Sequence, residues 1–303
     1  MTQRMRLGVM MPFTDIGGEP ATVREYARAT EAQGYTNLGL ADHVLGVNVA
    51  SRPDWGDRNT SADLFHDPFV CFGYLAGLCR ETTEFSTQVL ILAQRQAVLV
   101  AKQAASLDLL CGGRFRLGVG IGWNPVEFVG LNENFANRGR RSAEQVAVMQ
   151  KLWADPHVSY KGRWHEIQDA GINPLPVHRR IPVWFGGHVD QTLERIAKLG
   201  DGWIMNAYEP GPAVEAELAK LRRLTREAGR DPAAIGLEIW MSGGRGDPAS
   251  WRDEVAYWKT QGATHITLTN TFGRRHHKRI AGRTLRDHLA AQERFANAVG
   301  DAL

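Results

Sequence analysis

The stretch VLVAKQAASLDLLCGGRFRLGVGIGW, residues 98–123, runs a helix into a strand with almost nothing between them. Its first half places apolar residues three and four apart, the period of one face of an α-helix. Gly112 and Gly113 stop that helix, because glycine takes up the left-handed conformation of a helix end at little cost. Residues 115–120 then read as a strand, with Gly118, Gly120 and Gly122 alternating onto one face. A helix delivered into a strand in this way is half of a βαβ unit, and such units repeat to build a parallel sheet.

Outward from this segment the same alternation continues in both directions. Strands are expected at residues 7–11, 37–41, 85–93, 115–120, 181–185, 203–205, 235–241 and 265–269. Helices are expected at 22–33, 68–80, 98–111, 140–153, 190–199, 215–228, 251–261 and 285–298. Eight pairs imply an α/β fold of the (β/α)8 TIM barrel type. The expectation is one domain over residues 1–303, with insertions after strands two and four, the latter including a hairpin over 158–167. An open doubly wound sheet would show a phosphate-binding glycine-rich turn after strand one, where this chain has Pro12 and Phe13.

With 43% apolar and 23% charged residues the chain has ample material for a core, which excludes disorder. It lacks both a long apolar run and a secretory leader pattern, so a cytoplasmic location without membrane partners is expected. Cys71, Cys79 and Cys111 are too few and too scattered for a disulfide framework or a zinc site. A net charge of +3 does not by itself point to nucleic acid.

In such barrels the functional side chains sit at the C-terminal ends of strands and in the loops that follow. After strand two comes Asp42-His43. An imidazole titrates near neutrality and can move a proton, with Asp42 orienting it or holding a ligand; the plainer reading is a capping aspartate and a structural histidine. The bare face of strand four admits something flat against the backbone, or a large side chain from a neighbouring strand. Its spacing does not match a dinucleotide fingerprint.

After strand five, Gly186-Gly187-His188 precedes a helix whose free amides can hold a phosphate, although glycine pairs also occur at such turns for steric reasons. After strand eight, residues 274–279 read RRHHKR, either an anion-attracting rim or a solvated loop. The run is single and lacks interleaved aromatics, so nucleic acid is not indicated.

Other barrel chemistries fit less well. A Schiff-base aldolase needs a lysine on a strand, whereas Lys102, Lys198 and Lys259 fall on helices or loops. Strand one ends without the paired histidines of a metal-dependent hydrolase, so no metal is expected. A glycosidase needs two carboxylates across one bond, and neither Glu127 nor Glu238 falls at a strand tip.

Four segments in order, GRFRLGVGIGWNPVEF (113–128), NPLPV (173–177), IPVWFGG (181–187) and GDGW (200–203), resemble the luciferase-like monooxygenase superfamily, in particular its branch dependent on the deazaflavin coenzyme F420. The resemblance spans nearly the whole chain. It implies His43 as the catalytic acid or base, with Asp42 beside the cofactor. It also implies a bulged third strand with a non-proline cis peptide at Gln88-Val89 beneath the flavin ring, and a grip on the cofactor phosphate at Gly186 and Gly187. Gly122, Trp123 and Arg274 complete the expected cofactor-binding set.

Relatives that oxidise sugar phosphates carry a tryptophan four residues after the strand-two histidine and a glutamate after strand four. Val47 and Trp123 stand there instead, so an apolar or aromatic substrate walled by Trp55, Phe65 and Trp123 is expected. The resemblance implies hydride transfer between F420 and a small organic molecule, with His43 moving the proton. The alternative is an FMN-dependent monooxygenase supplied by a separate flavin reductase, and the third reading is a barrel that binds flavin without turnover. The basic run leans towards F420, whose oligoglutamate tail is more anionic than the phosphate of FMN. Relatives are commonly dimers, which makes a homodimer the expectation.

Overall fold

The computed structural model describes residues 4–303. Eight strand-helix pairs follow one another: β1 (Arg6–Met10), α1 (Pro20–Ala32), β2 (Asn37–Leu40), α2 (Pro68–Ala76), β3 (Glu84–Thr87, resuming at Leu90–Ile91), α3 (Ala97–Leu110), β4 (Phe115–Gly120), α4 (Arg138–Ala154), β5 (Val183–Gly186), α5 (Asp190–Leu199), β6 (Gly202–Met205), α6 (Pro212–Glu227), β7 (Gly236–Ser242), α7 (Pro248–Thr260), β8 (His265–Thr269) and α8 (Leu285–Val299). Each strand pairs in parallel with the next, and β8 pairs with β1 with Val9 opposite Leu268, so the sheet closes into the expected TIM barrel.

Local chemistry sets the element ends. Asp67 caps α2 by accepting from the amides of Phe69 and Val70. Gly112 and Gly113 both have positive φ and let α3 turn directly into β4. Capping boxes open α7 (Asp247 with Ser250) and α8 (Thr284 with Asp287).

Two elements differ from the sequence reading. Helix α2 stops at Ala76, because the chain turns at Gly77 and the Arg80 amide is taken by the Glu31 carboxylate at 2.7 Å. The third strand is not continuous over 85–93: it breaks at the Gln88–Val89 peptide, which is cis as the resemblance implies, and Leu92–Gln94 forms a 3-10 turn. The segment between β2 and α2 is irregular, and that between β4 and α4 carries a short helix, Pro125–Gly130. The hairpin pairs Val158–Lys161 with Glu166–Ala170, between α4 and β5.

The barrel interior is charged at its centre. Arg116 of β4 bonds Glu238 of β7 at 2.5 Å and Glu84 of β3 at 2.9 Å, and lies 4.2 Å over the Trp184 ring. Glu238 also accepts from Thr267 at 2.5 Å and from Gln88 at 2.6 Å. Removing one partner of such a buried pair strands the other, at about 3–5 kcal/mol. Above this layer, towards the C-terminal ends of the strands, Met10, Ile204 and Trp240 form an apolar cluster packed by Val89, Ala41 and Phe272.

Candidate active site

The C-terminal mouth of the barrel opens onto a cavity of about 510 Å³. Met10, Met11, His43, Val89, Trp123 and Trp240 line it, together with the loop after β2 and residues 271–274 after β8. This is where the strand-end rule places chemistry.

His43 follows β2, and its side chain is 15% exposed. Its Nδ1 lies 3.2 Å from Glu127 Oε1. Phe65 and Trp123 flank the imidazole edge-on, with ring centroids 4.8 and 5.9 Å away. Trp55 backs Trp123 at 5.6 Å, and the Arg58 guanidinium stands 5.5 Å over both indoles. The three aromatics expected as pocket walls therefore gather around His43, with Phe65 and Trp123 on the cavity and Trp55 behind.

Glu127 lies in the first turn of the short helix 125–130, which Asn124 caps by accepting from the Val126 amide. Burial alone pushes the Glu127 carboxyl up. Hydrogen bonds from His43 and Gln94, the His43 charge and the Val44 amide outweigh it and hold the group below the ordinary carboxylate range. From sequence alone Glu127 is weighed only as a glycosidase carboxylate. A carboxylate in the first turn of a helix that leaves a barrel mouth was the signal available.

Asp42 borders the cavity, but its carboxylate is turned into the protein. It accepts from the Ile91 amide at 3.0 Å and from Arg95 at 2.8 Å, and Arg95 reaches on to Asp67 at 3.0 Å. Gln88 likewise borders the cavity while its amide serves the interior: it donates to Glu238, and its oxygen accepts from Trp240 Nε1 at 3.0 Å. Val89 is half-buried and forms part of the cavity floor.

Gly186, at the end of β5, is bare beside Val89, where an added Cβ would fall 2.9 Å from Val89 Cγ1. Gly187 has φ of 120°, and its carbonyl accepts from Trp203 Nε1 at 2.8 Å. Gly122 has φ of 77° and packs on Ile91 and Phe128, turning the chain so that Trp123 reaches His43. Gly122 and Gly186 thus pack on the lining residues Ile91 and Val89, Gly187 lies away from the cavity against Thr192 and Trp203, and His43, Val89, Trp123 and Arg274 line it.

The bare face of β4 is filled from within: Gly118 is met by the Thr87 carbonyl and Ile204, and Gly120 by Val89. The basic run is largely engaged. Arg274 pairs with exposed Asp57 at 2.8 Å, Arg275 reaches His188 at 2.9 Å, and Arg279 holds buried Asp15 at 2.6 Å. Among the described residues no group of three or more His, Cys, Asp or Glu is placed to hold a metal, and no helix is long and apolar enough to cross a membrane.

Comparison with known proteins agrees with this architecture. An uncharacterised protein of Mycobacterium tuberculosis is 31% identical over 209 residues, covering 67% of this chain and 71% of that one. Pyrimidine monooxygenase RutA of Allorhizobium ampelinum is 31% identical over 201 residues, 62% of this chain and 52% of its own length. Among solved structures, an F420-dependent secondary alcohol dehydrogenase in complex with an F420-acetone adduct superposes with a TM-score of 0.77 at 17% identity, over 99% of this chain and 100% of that one. The family model described as luciferase-like monooxygenase matches residues 5–302, and the chain belongs to that family of oxidoreductases and monooxygenases.

Proposed function

We propose that this protein is a deazaflavin-dependent oxidoreductase that moves a hydride between coenzyme F420 and a small, apolar organic substrate, with His43 moving the proton. The observation that supports this reading is the cavity of about 510 Å³ at the mouth, floored by Val89 and walled by the His43 ring. Pockets for small molecules and cofactors span about 300–1,000 Å³.

The residues present suit such a ring system. Met10, Val89 and Trp240 offer it an apolar floor, the bare backbone of Gly186 packs beneath Val89 of that floor, and Arg274 stands at the rim facing solvent. A deazaflavin, when bound, supplies or accepts the hydride. The chain's own residues orient the substrate, keep water from it with Phe65 and Trp123, and set the His43 ring to exchange a proton with it.

FMN is the second reading, favoured by the similarity to the monooxygenase RutA. An FMN monooxygenase would call on a separate reductase. The test is a fluorescence and absorbance titration of the purified protein with each cofactor. Binding of F420 with much weaker FMN binding supports the proposal, and FMN binding alone overturns it. With the cofactor bound, His43→Ala is expected to lower kcat by about 10²–10⁴-fold while leaving cofactor Kd within about threefold; undiminished turnover removes His43 from the mechanism.

A further inference from the structure

We infer that Glu127 is a positioning residue that fixes the tautomer and aim of His43, so that the ring in its neutral form presents an unprotonated Nε2 to the cavity. The inference rests on the reading of His43 as the residue that moves the proton.

The argument is a count of donors. Glu127 is 1% exposed, and its Oε1 lies 2.9 Å from the Val44 amide, 3.3 Å from the Leu45 amide and 3.2 Å from His43 Nδ1. Its Oε2 accepts from Gln94 Nε2 at 3.1 Å. Backbone and side-chain amide N–H groups only donate, and an ionised carboxylate only accepts. A buried carboxylate ringed by donors stays ionised. The ring nitrogen that faces it therefore carries a hydrogen, which leaves the neutral imidazole bare at Nε2, a nitrogen without a protein partner among the described residues.

The other charged groups near the ring are committed elsewhere. Asp42 is held by Arg95 and the Ile91 amide, Asp63 accepts from Thr60, Asp57 pairs with Arg274, and Arg279 pairs with Asp15. Arg58 faces the indoles of Trp55 and Trp123. Glu127 is thus the acidic group in contact with the imidazole. By holding the amides of residues 44 and 45 through the same oxygen, it anchors the backbone after His43 as well as the ring. Phe65 and Trp123 then restrict rotation of the ring from its two sides.

The experiment is nitrogen-15 NMR of the histidine side chains at neutral pH on the cofactor-free protein, with His43→Asn to assign the signal, alongside steady-state kinetics and thermal melts of Glu127→Gln and Glu127→Ala. The wild type is expected to show His43 protonated at Nδ1. Glu127→Gln, which keeps an acceptor oxygen, should retain that signature and lose less than about tenfold in kcat. Glu127→Ala should shift the ring towards the Nε2-protonated form and lose about 10–100-fold in kcat, with cofactor Kd unchanged.

A wild-type His43 protonated at Nε2 overturns the inference, and this measurement stands even if Glu127→Ala does not fold. So does a Glu127→Ala protein whose His43 signature is unchanged while its activity falls only in step with its melting temperature. A correct tautomer in a protein that turns over with neither F420 nor FMN would instead overturn the proposed reaction and leave the role of Glu127 intact.

Discussion

Gly186→Ala tests whether the cavity floor is built as the structure has it. The new Cβ would lie 2.9 Å from Val89 Cγ1 and 3.7 Å from Cγ2. Carbon atoms rest at about 3.5–4.0 Å, so Val89 must move by about 0.6–1 Å. Rotation offers little relief, because valine is stiff at χ1 and its Cγ2 already packs on the bare backbone of Gly120. The remaining direction is upward into the cavity, which Val89 lines.

Overpacking of this kind costs about 1–3 kcal/mol. An open side to retreat into puts the expected loss near the lower end, about 1–2 kcal/mol. Lifting the floor should also weaken cofactor binding by about tenfold, equivalent to about 1.4 kcal/mol. The assay is a double-mutant cycle: urea unfolding and cofactor titration of Gly186→Ala, Val89→Ala and the pair. If the clash is with Val89, trimming that side chain removes it, and the pair should be less destabilised than the sum by about 1 kcal/mol or more. Additivity within about 0.5 kcal/mol would refute the packing argument. A stability cycle that couples as expected, with cofactor affinity still lost in the pair, would assign Gly186 a direct contact with the cofactor as well.

Two further outcomes follow from the site and its rim. Trp123→Ala removes one wall beside His43 and should raise KM for aromatic substrates by about tenfold, with kcat changed less; an unaltered substrate preference would remove Trp123 from the pocket wall. Burial, then the neighbouring His276, push the His277 imidazole from the ordinary 6.5 down to about 4. Between those values the unfolded chain binds a proton that the folded chain does not, so stability rises with pH across the window and levels off above it. His277→Gln should flatten that rise by up to about 1.4 kcal/mol per pH unit, read from urea midpoints across the window; an unchanged slope refutes the assignment.

The eight strand-helix pairs were legible because their signals are local: a helix repeats every 3.6 residues, a strand every 2, and Gly112-Gly113 between α3 and β4 mark the change from one to the other. Where a side chain is aimed depends instead on neighbours far away in sequence. The glycines of β4 could be read as a bare face, but the sequence left open what meets it, and the fold supplies Thr87, Ile204 and Val89 from two other strands. Asp42 and His43 stood out together at a strand end, yet one faces Arg95 and the other the cavity, and alternation along β2 does not continue into an irregular loop.

Sequence alone does not pair Glu127 with His43, because the two lie 84 residues apart and no spacing rule joins them. What singles it out is a property only the fold reveals, the number of donors converging on a buried acid. Arg95 and the Ile91 amide likewise satisfy Asp42, but that cluster binds no titratable ring. Of Asp42 and Glu127, the two buried carboxylates that flank His43, Glu127 is the one that meets a titratable ring facing the cavity. On the proposed mechanism, strand ends locate the site in this barrel, and the distribution of donors around each acid decides which nitrogen of His43 is left to exchange the proton.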